Sequence, residues 1–207
     1  QDVLLREINH RIKNLFSLTS GLISLSARNA RSVEELSANL RSRLKALADA
    51  HALTLPDLRA DQLAESSTTV AALMNAILAP HELEHAPRIT ITGSDATLSG
   101  NALTSFALLI HELTTNAAKY GALATPEGRL LVDISTTDDT LRIDWKEQSA
   151  DRPTGNGDRE GFGTALEKAV LTGLGGTLSR DWRDEGLSLA LEMPLARLLP
   201  KGSQATS

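Results

Sequence analysis

Apolar residues recur at helical spacing through the first quarter of the chain. Between residues 3 and 29 they form one stripe about 100° wide on a helical wheel, made by Leu5, Ile8, Ile12, Leu15, Leu22 and Ile23. A second set, preceded by a capping box at Ser32–Glu35, consists of Val33, Leu36, Leu40, Leu44 and Leu47. Two amphipathic helices joined by a short turn predict a helical hairpin over residues 1–60. Its remaining apolar surface suits pairing with a second copy in a four-helix bundle.

The pattern changes after a Pro-, Asp- and Ser-containing linker at 56–67. Helical periodicity predicts helices over 70–78, 103–119 (with Ser99 as N-cap) and 164–174, and alternation predicts strands over 88–92, 130–135, 141–145, 177–182 and 187–193. Helices beside a mostly antiparallel sheet make residues 67–197 an α+β domain. We expect a polar loop over 146–160 and a disordered tail over 198–207.

Composition narrows the class of protein. The chain has 207 residues, 41% hydrophobic and 23% charged, as in globular proteins, and only 3% aromatic, which favours helical packing over a β-sandwich. A net charge of −5 argues against a nucleic-acid partner, and the absence of cysteine excludes disulfides and thiolate metal sites. Without a leader or a membrane-spanning apolar run, we expect a cytoplasmic chain, and its start at Gln1 within a helix suggests a fragment.

His10 lies on the polar side of the first helix. It sits about 160–200° from the apolar stripe, among Arg6, Arg11 and Lys13. An exposed, neutral imidazole can attack a phosphoryl group, and basic neighbours would stabilise the transferred charge. Asn14, one turn further on, could hold a water molecule or a phosphate oxygen. The alternative is an ordinary surface histidine.

The stretch "HELTTNAAKYG", residues 111–121, places three polar side chains on one helix face. Glu112, Asn116 and Lys119 fall within about 60° of each other. Carboxylate and amide oxygens suit Mg²⁺, and lysine suits phosphate. The opposite face is predicted to pack through Phe106, Ile110, Leu113, Ala117 and Tyr120. The alternative is a solvated helix face carrying a Glu–Lys pair.

Two shorter motifs complete the candidate chemistry. In "GFGTAL", residues 161–166, Gly161 and Gly163 would let backbone N–H groups approach an anion at a helix N-terminus. In "IDWKEQ", residues 143–148, an alternating strand ends in Trp145 and Glu147. A carboxylate there could accept a hydrogen bond from an exocyclic amine, such as that of adenine. Taken alone, these motifs are equally typical of a loop-to-helix turn and a sheet edge.

The order of the motifs resembles a known family. "NHRIKN", "HELTTNAAKYGAL", "DWKEQ", "GFGTALEKAV" and the closing "EGLSLALEMPL" are similar to the transmitter region of bacterial two-component sensor histidine kinases of the HWE type. The family's three letters would be His111, Trp145 and Glu147, and the similarity covers residues 3–195. It implies a dimerisation and histidine-phosphotransfer hairpin over 1–60 and a Bergerat-type (GHKL) ATP-binding domain over 67–197.

The resemblance also implies roles for individual residues. His10 would receive the γ-phosphoryl group of ATP and pass it to an aspartate in a response-regulator receiver domain. Asn116 would bind Mg²⁺, with Glu112 beside it orienting water or the metal shell. The nucleotide-binding set would be His111, Asn116, Lys119, Glu147, Gly161 and Gly163. Glu7 is a candidate general base, and Asn14 leaves room for phosphatase action on the regulator.

This chain departs from the family pattern in two places. Residues 148–152 replace the glycines that usually follow the W-x-E motif, and Ala165 replaces a frequent arginine. These changes motivate an alternative: a histidine phosphotransfer, phosphatase or scaffold module with a degenerate nucleotide pocket. A second alternative is a Bergerat ATPase that does not phosphorylate itself. No sensor domain precedes His10, so we expect the input signal to be received outside these residues, and monomer versus dimer stays open.

Overall fold

A computed structural model describes residues 13, 16, 19–24, 26–27, 30–53, 67–84, 86–149 and 162–199. The described residues between 13 and 27 are helical. The helices that follow are α1 Val33–Ala52, α2 Val70–Leu78, α3 Gly100–Tyr120 and α4 Phe162–Leu174. The strands are β1 Ser67–Thr69, β2 Ile89–Gly93, β3 Thr97–Ser99, β4 Arg129–Thr136, β5 Thr140–Gln148, β6 Thr177–Arg183 and β7 Gly186–Pro194. Short 3₁₀ turns span Ala79–His81, Ala122–Ala124 and Leu195–Arg197.

Helix α1 begins at the predicted capping box. The Ser32 side chain accepts a hydrogen bond from the Glu35 backbone N–H, and the Glu35 carboxylate accepts one from the Arg31 N–H at 2.9 Å. These bonds satisfy backbone donors that have no partner within the helix. The buried side of the helix carries Arg43, Ala46, Leu47 and Ala50. The predicted start of the second hairpin helix is therefore confirmed.

The main sheet has the strand order β2-β4-β5-β7-β6. Only the β2–β4 pair is parallel, and the three other pairs are antiparallel. The predicted α+β class with a mostly antiparallel sheet is confirmed. Strands β1 and β3 form a separate antiparallel pair that the sequence analysis missed. Each of these strands has three residues, too few to show an alternation of apolar and polar positions.

The core lies between one face of the main sheet and the helices. Alternate residues of β4, β5 and β7 are buried, as the pleat of a half-covered sheet requires. The same apolar cluster includes Phe106 and Ile110 of α3, and Leu22 and Leu47 from the hairpin. The described part of the hairpin therefore packs directly on the α+β unit. None of the helices in the described ranges is long and apolar enough to cross a membrane.

Candidate active site

Helix α3 carries the stretch singled out in the sequence. Its inner face buries Phe106, Ile110, Leu113 and Ala117, as the wheel predicts. The helix ends where the Gly121 N–H donates to the Ala117 carbonyl oxygen at 3.1 Å. Burying this apolar stripe on the sheet stabilises a 21-residue helix whose polar side is left for other contacts.

The prediction that Tyr120 packs with the inner face is wrong. Tyr120 is 59% exposed, because it is the last residue of α3 and the chain turns at Gly121 into the 3₁₀ turn Ala122–Ala124. A helical wheel gives the direction of a side chain. It does not say whether a neighbouring element extends far enough to cover it.

Glu112, Asn116 and Lys119, the three residues predicted to share one polar face of α3, lie in different environments. Asn116 and Lys119 are exposed, as expected for side chains that meet a ligand. Glu112, one turn earlier, is only 5% exposed. Helix α1 packs against this flank of α3 and covers the Glu112 carboxylate, so the polar face is divided between solvent and the hairpin.

Arg43 of α1 binds Glu112 through two hydrogen bonds. Arg43 Nε donates to Glu112 Oε1 at 2.7 Å, and Nη2 donates to Oε2 at 2.9 Å. Arg43 Nη1 also donates to Ser26 Oγ at 3.3 Å. Burial alone raises the pKa of Glu112, but the contact with His111 and the hydrogen-bonded guanidinium of Arg43 outweigh it and hold the pKa below its ordinary value. Glu112 is therefore an ionised carboxylate in a buried ion pair.

A second polar contact lies next to this pair. Ser42 Oγ is 2.9 Å from His111 Nε2, and His111 Nδ1 is 3.5 Å from Glu112 Oε1. Further along the same interface, His51 Nε2 is 3.3 Å from Thr104 Oγ1. His111 thus contacts the hairpin helix α1.

Sequence reasoning missed Arg43 and Ser42. A signal was present, because Arg43 precedes the buried Ala46, Leu47 and Ala50 by three, four and seven positions, on the face that packs. A charge on a buried helix face needs a partner of opposite charge. The search for a partner would have led to the acidic residues of the following helices.

Trp145 and Glu147 lie on the same buried face of β5. Trp145 is 1% exposed and Glu147 is 6% exposed. Trp145 Nε1–H donates to Glu147 Oε1, and the Ala122 backbone N–H donates to Glu147 Oε2, both at 3.0 Å. Burial raises the pKa of Glu147, and these two hydrogen bonds offset only part of the effect. Adenine recognition by Glu147 stays a prediction.

Several predicted site residues lie outside the described part of the chain. These are His10, Asn14, Gly161 and the candidate base Glu7. Gly163 falls in the first turn of α4.

The exposed amide of Asn116 is chemically suited to its predicted role as a ligand of Mg²⁺. Across the described ranges, no group of three or more His, Asp or Glu side chains is arranged to hold a metal ion. An exposed amide oxygen still suits Mg²⁺, which keeps several water molecules and binds phosphate oxygens.

Comparison with known proteins identifies the family. The family model of the HWE histidine kinases matches residues 7–95. The blue-light-activated histidine kinase 1 of Erythrobacter litoralis (strain HTCC2594) is 32% identical over 193 residues, covering 91% of this chain and 52% of that protein. The chain belongs to the HWE family of histidine kinases. A further relative, the blue-light-activated histidine kinase of Rhizobium johnstonii, is 33% identical over 196 residues, covering 93% of this chain and 53% of that protein.

The HWE chain spans about half the length of these curated relatives. Its fold resembles the histidine kinase domain from the Erythrobacter litoralis EL346 blue-light-activated histidine kinase, with a TM-score of 0.58 at 16% identity over 90% of this chain and 96% of that one. At 16% identity this similarity shows a shared fold only. The shared fold is consistent with the helices and mostly antiparallel sheet described above.

Proposed function

We propose that this chain is the catalytic core of a two-component histidine kinase. It transfers the γ-phosphoryl group of ATP to His10 and then to an aspartate of a response-regulator receiver domain. Membership of the HWE family supports the kinase activity. The sequence pattern, which predicts His10 on the polar side of an amphipathic helix among basic residues, supports its role as phosphoacceptor.

In the proposed reaction, an imidazole nitrogen of His10 attacks the γ-phosphorus. A nitrogen–phosphorus bond forms as the bond to the β–γ bridging oxygen breaks, and ADP leaves with that oxygen. Glu7 is the proposed base for the imidazole proton. Lys119 would bind phosphate oxygens, and the Asn116 amide would hold Mg²⁺. When bound there, the metal would neutralise charge on the phosphates.

The Arg43–Glu112 ion pair is the observation that most directly supports a hairpin and an ATP-binding unit that act together. It joins α1, the second helix of the proposed phosphoacceptor hairpin, to α3, the helix that presents Asn116 and Lys119. The second helix of the proposed phosphoacceptor hairpin is thereby in direct contact with the helix proposed to bind Mg²⁺ and phosphate. Gly161 and Gly163 would shape the phosphate end of the site, and His111 would border it on the hairpin side.

We further propose that the hairpin pairs with a second copy of the chain. Apolar side chains remain uncovered on both of its segments, with Phe16 70% exposed and Val33 76% exposed. A four-helix bundle would bury them. The need for ATP and a response regulator places the proposed reaction in the cytoplasm.

The test is labelling with radioactive ATP and Mg²⁺. We expect an acid-labile, base-stable phosphoryl group on the wild-type chain and on the His81→Ala control, and none on His10→Ala. Mg-ATP is also expected to raise the melting temperature. If ATP neither labels the chain nor raises its melting temperature, the kinase proposal is wrong and a phosphotransfer or scaffold module replaces it. Label that survives in His10→Ala would reject His10 as the acceptor.

A further inference from the structure

The hairpin helix α1 reaches the carboxylate of Glu112 by two routes. Arg43 binds both carboxylate oxygens directly. Ser42 contacts His111, and His111 Nδ1 lies 3.5 Å from Glu112 Oε1. We propose that Arg43 is a positioning residue for phosphoryl transfer, which orients the Glu112 carboxylate beside Asn116. This rests on the proposed function and on the predicted role of Glu112 in orienting water or the metal shell.

The guanidinium of Arg43 fixes the plane of the carboxylate. Nε donates to Glu112 Oε1 at 2.7 Å, and Nη2 donates to Oε2 at 2.9 Å. Two bonds from a rigid planar fork determine the direction of a carboxylate as well as its charge, which a single ammonium group does not. The fork is itself held, because Arg43 is 6% exposed and its Nη1 donates to Ser26 Oγ at 3.3 Å. One orientation of the carboxylate is therefore favoured.

The ion pair leaves the carboxylate able to bind a further group. An ionised carboxylate offers about four lone-pair sites, and the fork uses one at each oxygen. His111 lies near Oε1, so Oε2 keeps the capacity to accept from a water molecule. Residues four apart on a helix are neighbours, with Cβ atoms about 5–6 Å apart. The oriented carboxylate therefore lies one helical turn from the Asn116 amide that is proposed to bind Mg²⁺.

The orientation of Glu112 depends on where the hairpin lies. Arg43 belongs to α1, which also contacts α3 through His51 Nε2 and Thr104 Oγ1, 3.3 Å apart. Leu47 of α1 belongs to the apolar cluster that includes the inner face of α3. A hairpin seated on α3 and an oriented carboxylate therefore occur together. In this way the hairpin would contribute to the active site of the ATP-binding unit by a residue other than the phosphoacceptor.

The rate of labelling by radioactive Mg-ATP tests this role. We expect Arg43→Gln to lower kcat by about 10–100-fold, as when a residue that orients a metal-site group is lost. The KM for ATP should stay close to the wild-type value, because Asn116 and Lys119 are retained. Arg43→Lys keeps the charge without the fork and should recover only part of the rate. The matched control, Lys45→Gln, removes the cation from the exposed pair with Asp49 on the same helix and should label as the wild type does.

A double-mutant cycle separates positioning from a purely structural role. All variants are compared below their melting temperatures, with folding checked by circular dichroism. In a Glu112→Gln background, Arg43→Gln should cause no further loss of kcat, because the carboxylate that it orients is gone and no unpaired charge is buried. If Arg43→Gln does not fold, Arg43→Lys completes the same cycle. Equal losses of kcat with and without the carboxylate would overturn the positioning role.

The same experiment distinguishes failure of this role from failure of the proposed function. A wild-type chain that takes no label on His10 would overturn the proposed function and the positioning role with it. A labelled wild type with unchanged kcat in Arg43→Gln and Arg43→Lys would overturn the positioning role alone. A loss confined to KM would place Arg43 in nucleotide binding and would also overturn it.

Discussion

Glu112 and Glu147 are two buried carboxylates with opposite electrostatics. Their exposed fractions are 5% and 6%, yet the pKa of Glu112 is lowered and the pKa of Glu147 is raised. Glu112 faces the guanidinium of Arg43, whereas Glu147 accepts from neutral N–H donors. Burial is thus a poor guide to ionisation, because the charge of the partner decides the direction of the shift.

The two carboxylates also join different kinds of structure. Glu112 binds the side chain of Arg43 across two separate helices, α3 and α1. Glu147 connects a strand to the backbone turn that continues α3, within one core. We therefore expect perturbations at Glu112 to act on the contact between hairpin and α3, and perturbations at Glu147 to act on the shape of α3 itself.

The largest effect is expected from Arg43→Ala. This substitution leaves Glu112 buried without its cationic partner and should lower the free energy of unfolding by about 3–5 kcal/mol. Chemical denaturation followed by circular dichroism measures the loss.

Arg41→Ala is the matched control, since Arg41 is exposed on the same helix. It should change stability by less than about 0.5 kcal/mol. Replacing both partners, as Arg43→Met with Glu112→Leu, should cost much less than Arg43→Ala alone, because no buried charge is left behind. Equal losses in Arg43→Ala and Arg41→Ala would contradict the buried pair.

A smaller effect is expected from pH. Glu112, with its lowered pKa, contributes stability above its ordinary value of 4.5, and this is lost as pH falls through the lowered pKa. Glu147, with its raised pKa, contributes stability below 4.5, and this is lost as pH rises through the raised pKa.

The stability difference between wild type and each Gln variant isolates the two contributions. From acid to neutral pH, the difference should grow for Glu112→Gln and shrink for Glu147→Gln. Urea unfolding at a series of pH values provides both curves. Curves that change in the same direction would show that the contrast between the two carboxylates is wrong.

The smallest effect is expected at the edge of the α1–α3 interface. Ser42→Ala removes the hydroxyl that contacts His111 Nε2 and should cost about 0.5–1.5 kcal/mol. Alanine also favours helix, so the comparison is with Ser37→Ala, at an exposed position of the same helix. Thermal unfolding of the two variants gives the difference. No difference would mean that the Ser42–His111 contact contributes nothing.

Most of the fold follows from local pattern. Residues 70–78 were predicted as a helix with the bounds that the structure gives to α2. Four strands of the main sheet extend their predicted ranges by one to three residues at an end, and β2 begins and ends one residue later than predicted. Strand β5 reaches Gln148, so the prediction of a polar loop is wrong for residues 146–148. Burial of one face imposes the alternation of apolar and polar residues that the sequence shows. The β1–β3 pair was missed because it is defined by backbone pairing and not by a pattern of side chains.

The candidate site was less predictable, because long-range contacts define it. The helical wheel gave Glu112, Asn116 and Lys119 a common direction, but only tertiary packing places α1 over Glu112. Likewise, residues two positions apart in a strand face the same side, so the W-x-E spacing predicted that Trp145 and Glu147 share one face. That this carboxylate would meet the N–H of Ala122, 25 residues earlier in the chain, could not be read from spacing.

The contact from Arg43 to Ser26 has a mechanical consequence. One guanidinium bridges the first helical segment, its own helix and α3, and a planar fork keeps its nitrogens at fixed angles. A rotation or translation of either hairpin segment would therefore displace the guanidinium relative to the Glu112 carboxylate. A movement of either hairpin segment would thus reach α3 through side-chain contacts, among them this guanidinium, without passing along the polypeptide.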